Sequence, residues 1–309
     1  MVGTIVFSKR DKLFFLSLLP LSISLLAVLV VSVTTIALRS LDAFQHFGLA
    51  LFASSIWNPE REVYGLLAPV IGSLTTSAIA LLTALILSIP LAITIAEYLQ
   101  GALKSVVSSI VELMGGMPTI VYAVWASQYL VPFLKQFAME PLHSALPFIP
   151  LFSCRPVTGF SVFAAGVAIG ISIVPYVTTL ILEAYQSIPV MYREACYGIG
   201  ATRYESIKIL LSLARPAIIA ALVLGFARAL GETTIAVTTV GNSMYLSSCL
   251  FAPGYTVSAL IASQFANAYL YQYAETVLYS SILVVVLIAI ALSFYGSTTI
   301  VRWRLRVVV

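Results

Sequence analysis

Two ionisable residues, Arg228 and Glu232, stand four apart inside Pro216–Val240, a stretch that is otherwise uncharged. On a helix, i and i+4 share one face, so the two side chains can pair. A guanidinium fork matches the oxygens of a tetrahedral oxyanion in bidentate fashion. The carboxylate can hold that guanidinium when no solute is bound, and can accept a hydrogen bond from an oxyanion that carries a proton. Thr233 adds a hydroxyl beside Glu232. An ionised residue at mid-membrane costs roughly 2.5–3.5 kcal/mol on insertion scales, so such residues usually face a cavity or a partner. From these residues alone two readings stay open: the face of a solute path, or a structural ion pair that locks helices together.

The second constellation precedes it. Between Glu183 and Arg215 lie Arg193, Glu194, Arg203, Glu205 and Lys208, the most polar segment of the chain. Glu194-Ala195-Cys196 with Gly198 and Gly200 predicts a short helix, a small turn, and a second amphipathic helix ending near Pro216. Two short helices at a glycine turn make a rigid knob; an ordinary solvated loop is the alternative. No Gly-x-x-x-x-Gly-Lys-Ser/Thr loop is present to cradle nucleotide phosphates. His46 and His143 each stand alone, and the three cysteines have no metal-ligand spacing.

The elements that must position these residues follow from composition. The 309 residues are 61% hydrophobic and 9% charged, where a soluble domain carries about 25% charged residues. A helix needs roughly 20 apolar residues to cross the hydrocarbon. Leu13–Leu38, Val63–Ala96, Leu113–Leu134, Pro156–Leu182 and Thr276–Val301 qualify without a charge, and Pro216–Val240 qualifies with Arg228 and Glu232 inside it. The expectation is an all-α membrane protein with six transmembrane helices. The start, Lys9-Arg10-Asp11-Lys12 before 26 uncharged residues, imitates a signal peptide, but its apolar run exceeds the roughly 7–15 residues of such a region. It is read as a retained first helix.

Six spans put both termini on one side, and the positive-inside rule orients them. Lys9, Arg10, Lys12, Lys104, Arg193, Arg203, Lys208, Arg215, Arg302, Arg304 and Arg306 then lie inside, against Arg39, Arg61, Lys135 and Arg155 outside. The N- and C-termini are therefore expected to be cytoplasmic. Cys154 and Cys249 fall on outer loops, where a disulfide between them is one reading and two unrelated small apolar residues the other.

Within the spans, Ser73, Thr75, Thr76, Ser77, Thr83 and Ser88 suit close helix packing or a water-lined path. Gly166 and Gly170 form a small-xxx-small pair. Met114-Gly115-Gly116-Met117-Pro118 reads either as a helix start with Pro in its first turn or as a flexible joint. The outer segment Ser243–Glu275 is long and almost uncharged, with Val257–Phe265 as an interfacial or re-entrant helix.

At these residues a resemblance enters. Glu194-Ala195-Cys196 followed by Gly200 resembles the EAA signature of permease subunits of binding-protein-dependent ABC importers. The wider string from Arg193 to Thr202 is similar to the phosphate importer permeases. Arg228-Ala229-Leu230-Gly231-Glu232-Thr233, with Gly241-Asn242 beyond, resembles the matching helix of the PstC type, and Met117-Pro118-Thr119-Ile120-Val121-Tyr122 resembles its third helix. Two departures stand out: Cys196 replaces Ala in the signature, and the closing proline is delayed to Pro216.

The resemblance implies a MetI-like type I ABC importer permease that translocates inorganic phosphate and is not itself an enzyme. It implies Arg193, Glu194, Ala195, Gly198 and Gly200 as the coupling contact with an ATPase, and Arg228, Glu232 and Thr233 as the translocation path. It implies no cofactor in this chain, with ATP and Mg on the partner ATPase. The implied partners are a second permease subunit (PstA type), two ATPase subunits (PstB type), an extracellular phosphate-binding protein (PstS type) and the lipid bilayer, with no nucleic acid. The expected organisation is an N-terminal helix and outer loop over 1–62 and a permease domain over 63–309. Its helices are expected near 66–97, 110–134, 160–184, 215–241 and 276–301, with a coupling loop at 185–214. The rivals are a permease for another oxyanion (molybdate, sulfate or phosphonate) and a stand-alone secondary anion transporter.

Overall fold

The computed structural model describes residues 9–307. Lipid offers the backbone no hydrogen-bonding partners, so long apolar runs fold as helices. In order they are α1 (Lys9–Phe47), α2 (Leu67–Ile93, extended by a π turn at Thr94–Tyr98), α3 (Gly101–Gly116), α4 (Thr119–Ala145), α5 (Val162–Gln186), α6 (Val190–Gly198), α7 (Arg203–Leu230), α8 (Thr234–Thr239), α9 (Val257–Gln264) and α10 (Ala274–Val307). Among the described residues five helices are long and apolar enough to cross a membrane, and α3 with α4 makes a sixth if that bent pair is one span. The chain is an all-α, multi-pass membrane protein.

Helix α5 is the hub. Its Ile169, Ile173, Val177 and Ile181 are fully buried against the alanine-rich faces of α2 and α7. A Cβ on Gly166 would stand 2.5 Å from that of Ile79, and one on Gly170 2.5 Å from that of Thr83, so this glycine pair sets the approach of α5 to α2. Ser73, Thr76, Ser77 and Ser88 of α2 are buried in the contact. The Ser88 hydroxyl donates to the Val174 carbonyl at 3.2 Å, and Ser73 Oγ accepts from the Val257 amide at 2.9 Å. The Thr76 hydroxyl donates to the Gly72 carbonyl at 2.8 Å, and Ser77 Oγ has no hydrogen-bond partner among the described residues. Helix α10 lies along α7, and α1 lies along α10.

A second apolar cluster fills the end of the bundle that holds the loops around residues 48–66 and 243–273, with Leu51, Tyr64, Leu66, Leu260 and Leu278 at its centre. Residues on both sides of the expected 62/63 boundary share it, so that boundary separates nothing in the packing. Helix α9 joins the same cluster and packs on α2, α8 and α10. Cys154 and Cys249 are disulfide-bonded, with their Cα atoms 6.0 Å apart. The bridge ties the proline-rich loop after α4 to the segment after α8.

Two expected spans differ in form. The one placed at 110–134 is two helices meeting at 93°. Pro118 has no amide proton and disfavours a helical residue before it, and Met117 is accordingly extended. The Tyr122 hydroxyl reaches back to the Met114 carbonyl at 2.9 Å, which satisfies an acceptor freed at the end of α3. The stretch thus holds a sharp bend, and Pro118 stands at the N-cap of the helix that follows it.

The span placed at 215–241 instead begins at Arg203 and ends at Leu230. The second amphipathic helix of the knob does not stop at Pro216 but continues through it into the membrane. Trp303 of α10 donates its indole N–H to the Leu213 carbonyl at 2.8 Å, in the turn that Pro216 loosens. The carbonyl that Pro216 itself leaves without an amide donor is that of Ser212, one residue before. The start at Arg203 is set by a capping box: Thr202 Oγ1 receives the Glu205 amide, and the Glu205 carboxylate receives the Thr202 amide at 2.8 Å.

Candidate functional site

The short helix of the knob, α6, carries Arg193, Glu194, Ala195 and Gly198, and Gly200 follows it in the turn to α7. Gly200 has φ +82°, a left-handed conformation that favours glycine, with open space where a Cβ would be. Cys196 is the residue that α6 buries. Glu194, Ala195, Gly198 and Gly200 are exposed, and Arg193 is half-buried. Around them Val190 is 68% exposed, Met191 67% and Ile199 81%. Three large apolar side chains are thus open on the most polar segment of the chain.

Arg228 ends α7, and the expected shared face with Glu232 is not formed. Gly231 closes the helix, and Glu232 and Thr233 lie in the break before α8. The amides of Gly231 and Glu232 bond back three residues, to Arg228 and Ala229, at 3.2 Å each, which tightens the last turn and carries Glu232 off the helical path. Among the described residues, Arg228 and Glu232 form no direct ion pair. The Glu232 carboxylate nevertheless lies within the electrostatic reach of Arg228 and beside the amides of Thr234 and Ile235. Its carbonyl accepts the Ser258 hydroxyl of α9 at 2.8 Å. Thr233 is half-buried, its hydroxyl 3.4 Å from the Gly231 carbonyl.

The exposed Arg228 guanidinium sits 5.2 Å from the centre of the Tyr176 ring, a cation–π contact. It faces a groove of about 250 Å³ that Glu112 of α3 and Ser172, Tyr176 and Thr179 of α5 also line. A cation, a carboxylate and three hydroxyl-bearing side chains thus converge on one open groove among apolar helices. The Ser172 and Thr179 hydroxyls donate to carbonyls of their own helix, at 2.8 and 2.9 Å, and Arg228 is the cation of the groove. Glu112 was not singled out from sequence, because only the 93° bend of α3 against α4 brings it beside Arg228.

A further residue escaped sequence reasoning. Glu97, at the end of the α2 extension, is only 8% exposed. Its Oε1 receives the Arg193 guanidinium at 2.7 Å and the Tyr185 hydroxyl of α5 at 2.7 Å. Its carbonyl oxygen receives the Arg203 guanidinium, which also stacks 4.6 Å from the centre of the Tyr98 ring. The signal available was a carboxylate directly following the charge-free run that ends at Ala96.

A family model described as binding-protein-dependent transport system inner membrane component matches residues 88–307. The chain is 44% identical over 270 residues to the probable phosphate transport system permease protein PstC of Methanocaldococcus jannaschii, covering 86% of each. It is 32% identical over 264 residues to the phosphate transport system permease protein PstC of Xylella fastidiosa, covering 84% of this chain and 82% of that one. Among solved structures, an inward-facing MetNI methionine ABC transporter chain superposes with a TM-score of 0.56 at 17% identity, over 80% of this chain and 99% of that chain. That likeness is one of fold.

Proposed function

Because the chain belongs to the family of binding-protein-dependent transport system inner membrane components, we propose that it is the permease subunit of an ATP-driven importer that carries inorganic phosphate across the cell membrane. The observation that carries the substrate is the match along most of both chains to relatives named as phosphate permeases. Arg228 in its hydroxyl-lined groove supports it chemically, since a guanidinium fork suits a phosphate oxygen pair.

In this reading a second permease subunit of PstA type completes the path. Two ATPase subunits of PstB type bind ATP and Mg, and an extracellular PstS-type protein delivers phosphate. Both termini face the cytoplasm. The exposed surface of α6 around Glu194 and the turn at Gly200 seats in an ATPase subunit. Closure of the ATPases on ATP moves α6, the bundle rocks from inward-open to outward-open, and phosphate released by the binding protein passes Arg228, Glu232 and Thr233. The path binds weakly, because a deep well would stop release.

The test is uptake of radiolabelled phosphate into proteoliposomes holding the chain with its candidate partners, with molybdate and sulfate as competitors. ATP-dependent uptake that resists both competitors is the expected result. Inhibition by a competitor would move the substrate to another oxyanion. Uptake by this chain alone, driven by an ion gradient, would overturn the ABC reading.

A further inference from the structure

Glu97 has no part in the solute path described above, yet it holds the most connected polar cluster in the molecule. Its carboxylate binds Arg193 of α6 and Tyr185 of α5, and its carbonyl binds Arg203 at the head of α7. One residue therefore ties the ends of four helices. The tie matters because α6 is otherwise held loosely. It buries Cys196 alone, and it is flanked by Ile188-Pro189 on one side and by Gly200 and Ala201 on the other. A short helix between two turns would swing on them when pushed.

We propose that Glu97 is a positioning residue that joins α6 to the near ends of α2, α5 and α7 as one rigid body. Displacement of α6 is thereby delivered to the membrane helices instead of being absorbed in the turns. The proposal rests on the functional reading above. Charge suits the task better than apolar contact. Apolar contact is non-directional and lets surfaces slide, whereas a carboxylate shared by a guanidinium and a phenol has one geometry. Glu97 is buried while Arg193 is half-buried; parting the pair would leave the Glu97 carboxylate buried without its cation, which favours the closed tie while α6 is loaded.

The experiment uses the complete reconstituted complex and reads phosphate transported per ATP hydrolysed. In Glu97→Gln, the complex assembles, ATP hydrolysis persists, and phosphate per ATP falls by at least about tenfold, the scale of one lost charge-assisted hydrogen bond. In an Arg193→Gln background, adding Glu97→Gln changes the ratio by less than about twofold, because the two side chains act as one unit. An unchanged ratio in assembled Glu97→Gln, or independent multiplying losses in the double variant, would overturn the proposal. If Glu97→Gln does not assemble, Tyr185→Phe decides. It removes one hydrogen bond and keeps the ion pair, so a reduced ratio supports the tie and a normal one refutes it.

A readout independent of any solute accompanies these. Amide hydrogen exchange across residues 190–198 of the purified chain should accelerate in Glu97→Gln, and unchanged exchange there would also refute the tie. Absence of ATP-driven phosphate uptake in the wild-type complex would instead sink the functional reading, with the exchange result still deciding the role of Glu97.

Discussion

Replacing Gly72 with alanine should destabilise the end of the bundle around α9 by about 2–6 kcal/mol. Gly72 lies in α2 against the backbone of Tyr255; a Cβ there would overlap the Tyr255 carbonyl oxygen and stand 3.0 Å from its carbon. Ordinary contact needs about 3.5–4.0 Å between carbons, so the segment must retreat by on the order of 1 Å. The retreat breaks a second contact. The Val257 amide, two residues on, donates to Ser73 Oγ at 2.9 Å, and both groups are buried. Lengthened past 3.5 Å, that bond is lost and a buried donor is orphaned, at about 1–3 kcal/mol. Overpacking adds about 1–3 kcal/mol.

The assay is thermal unfolding of the purified protein in detergent, read by size-exclusion chromatography after heating, with Gly116→Ala as control. Gly116 has nothing within 4 Å of where a Cβ would be, so its alanine should lie within about 1 kcal/mol of wild type. Gly72→Ala should melt several degrees lower, at roughly 2–4 °C per kcal/mol. Equal melting of the two variants would refute the steric argument.

Other substitutions read the functional ends of the molecule. Arg228→Gln should abolish uptake while the complex still assembles; normal uptake would return Arg228 to a structural role. Glu194→Lys should weaken co-purification of the ATPase and leave membrane insertion intact, and undiminished co-purification would count against the coupling contact. Cys249→Ser should lower the melting temperature and expose the Cys154 thiol to maleimide. The closed loop spans a sequence separation of 95 residues, so chain entropy sets an upper bound of about 4–5 kcal/mol. Unchanged melting would show that membrane insertion already restrains that loop.

Five of the spans and the knob were legible because each rests on local composition: apolar runs of spanning length, and a polar segment with two glycines. The Gly166 and Gly170 contact was legible for the same reason, since small residues four apart define a face without knowledge of the partner. What escaped depends on partners distant in sequence. Pro216 reads as a stop, yet α7 runs through it, with Trp303 from close to the other end of the chain bonded to the Leu213 carbonyl in that turn. Arg228 and Glu232 read as one helix face, and Gly231 breaks that face by ending the helix between them. Glu97 reads as a helix-end carboxylate, and its role becomes visible once Tyr185, Arg193 and Arg203 are brought to it.

The first helix carries a consequence of its own. At 1.5 Å per residue, its 39 residues reach about 58 Å, and the 26 uncharged ones alone about 39 Å, against about 30 Å of hydrocarbon. Residues 16–32 are exposed throughout, and burial begins only at Ser40 and Ala43. Among the described residues, none from 16 to 32 is buried against the body. A helix too long for its bilayer tilts or thickens the lipid around it, at a fraction of a kcal/mol per ångström of mismatch. The lean of α1 thus answers to membrane thickness as well as to its contact with α10, and thicker lipid should draw it upright. That motion would reach α10, on which α1 lies, and so α7, the helix that bears Arg228.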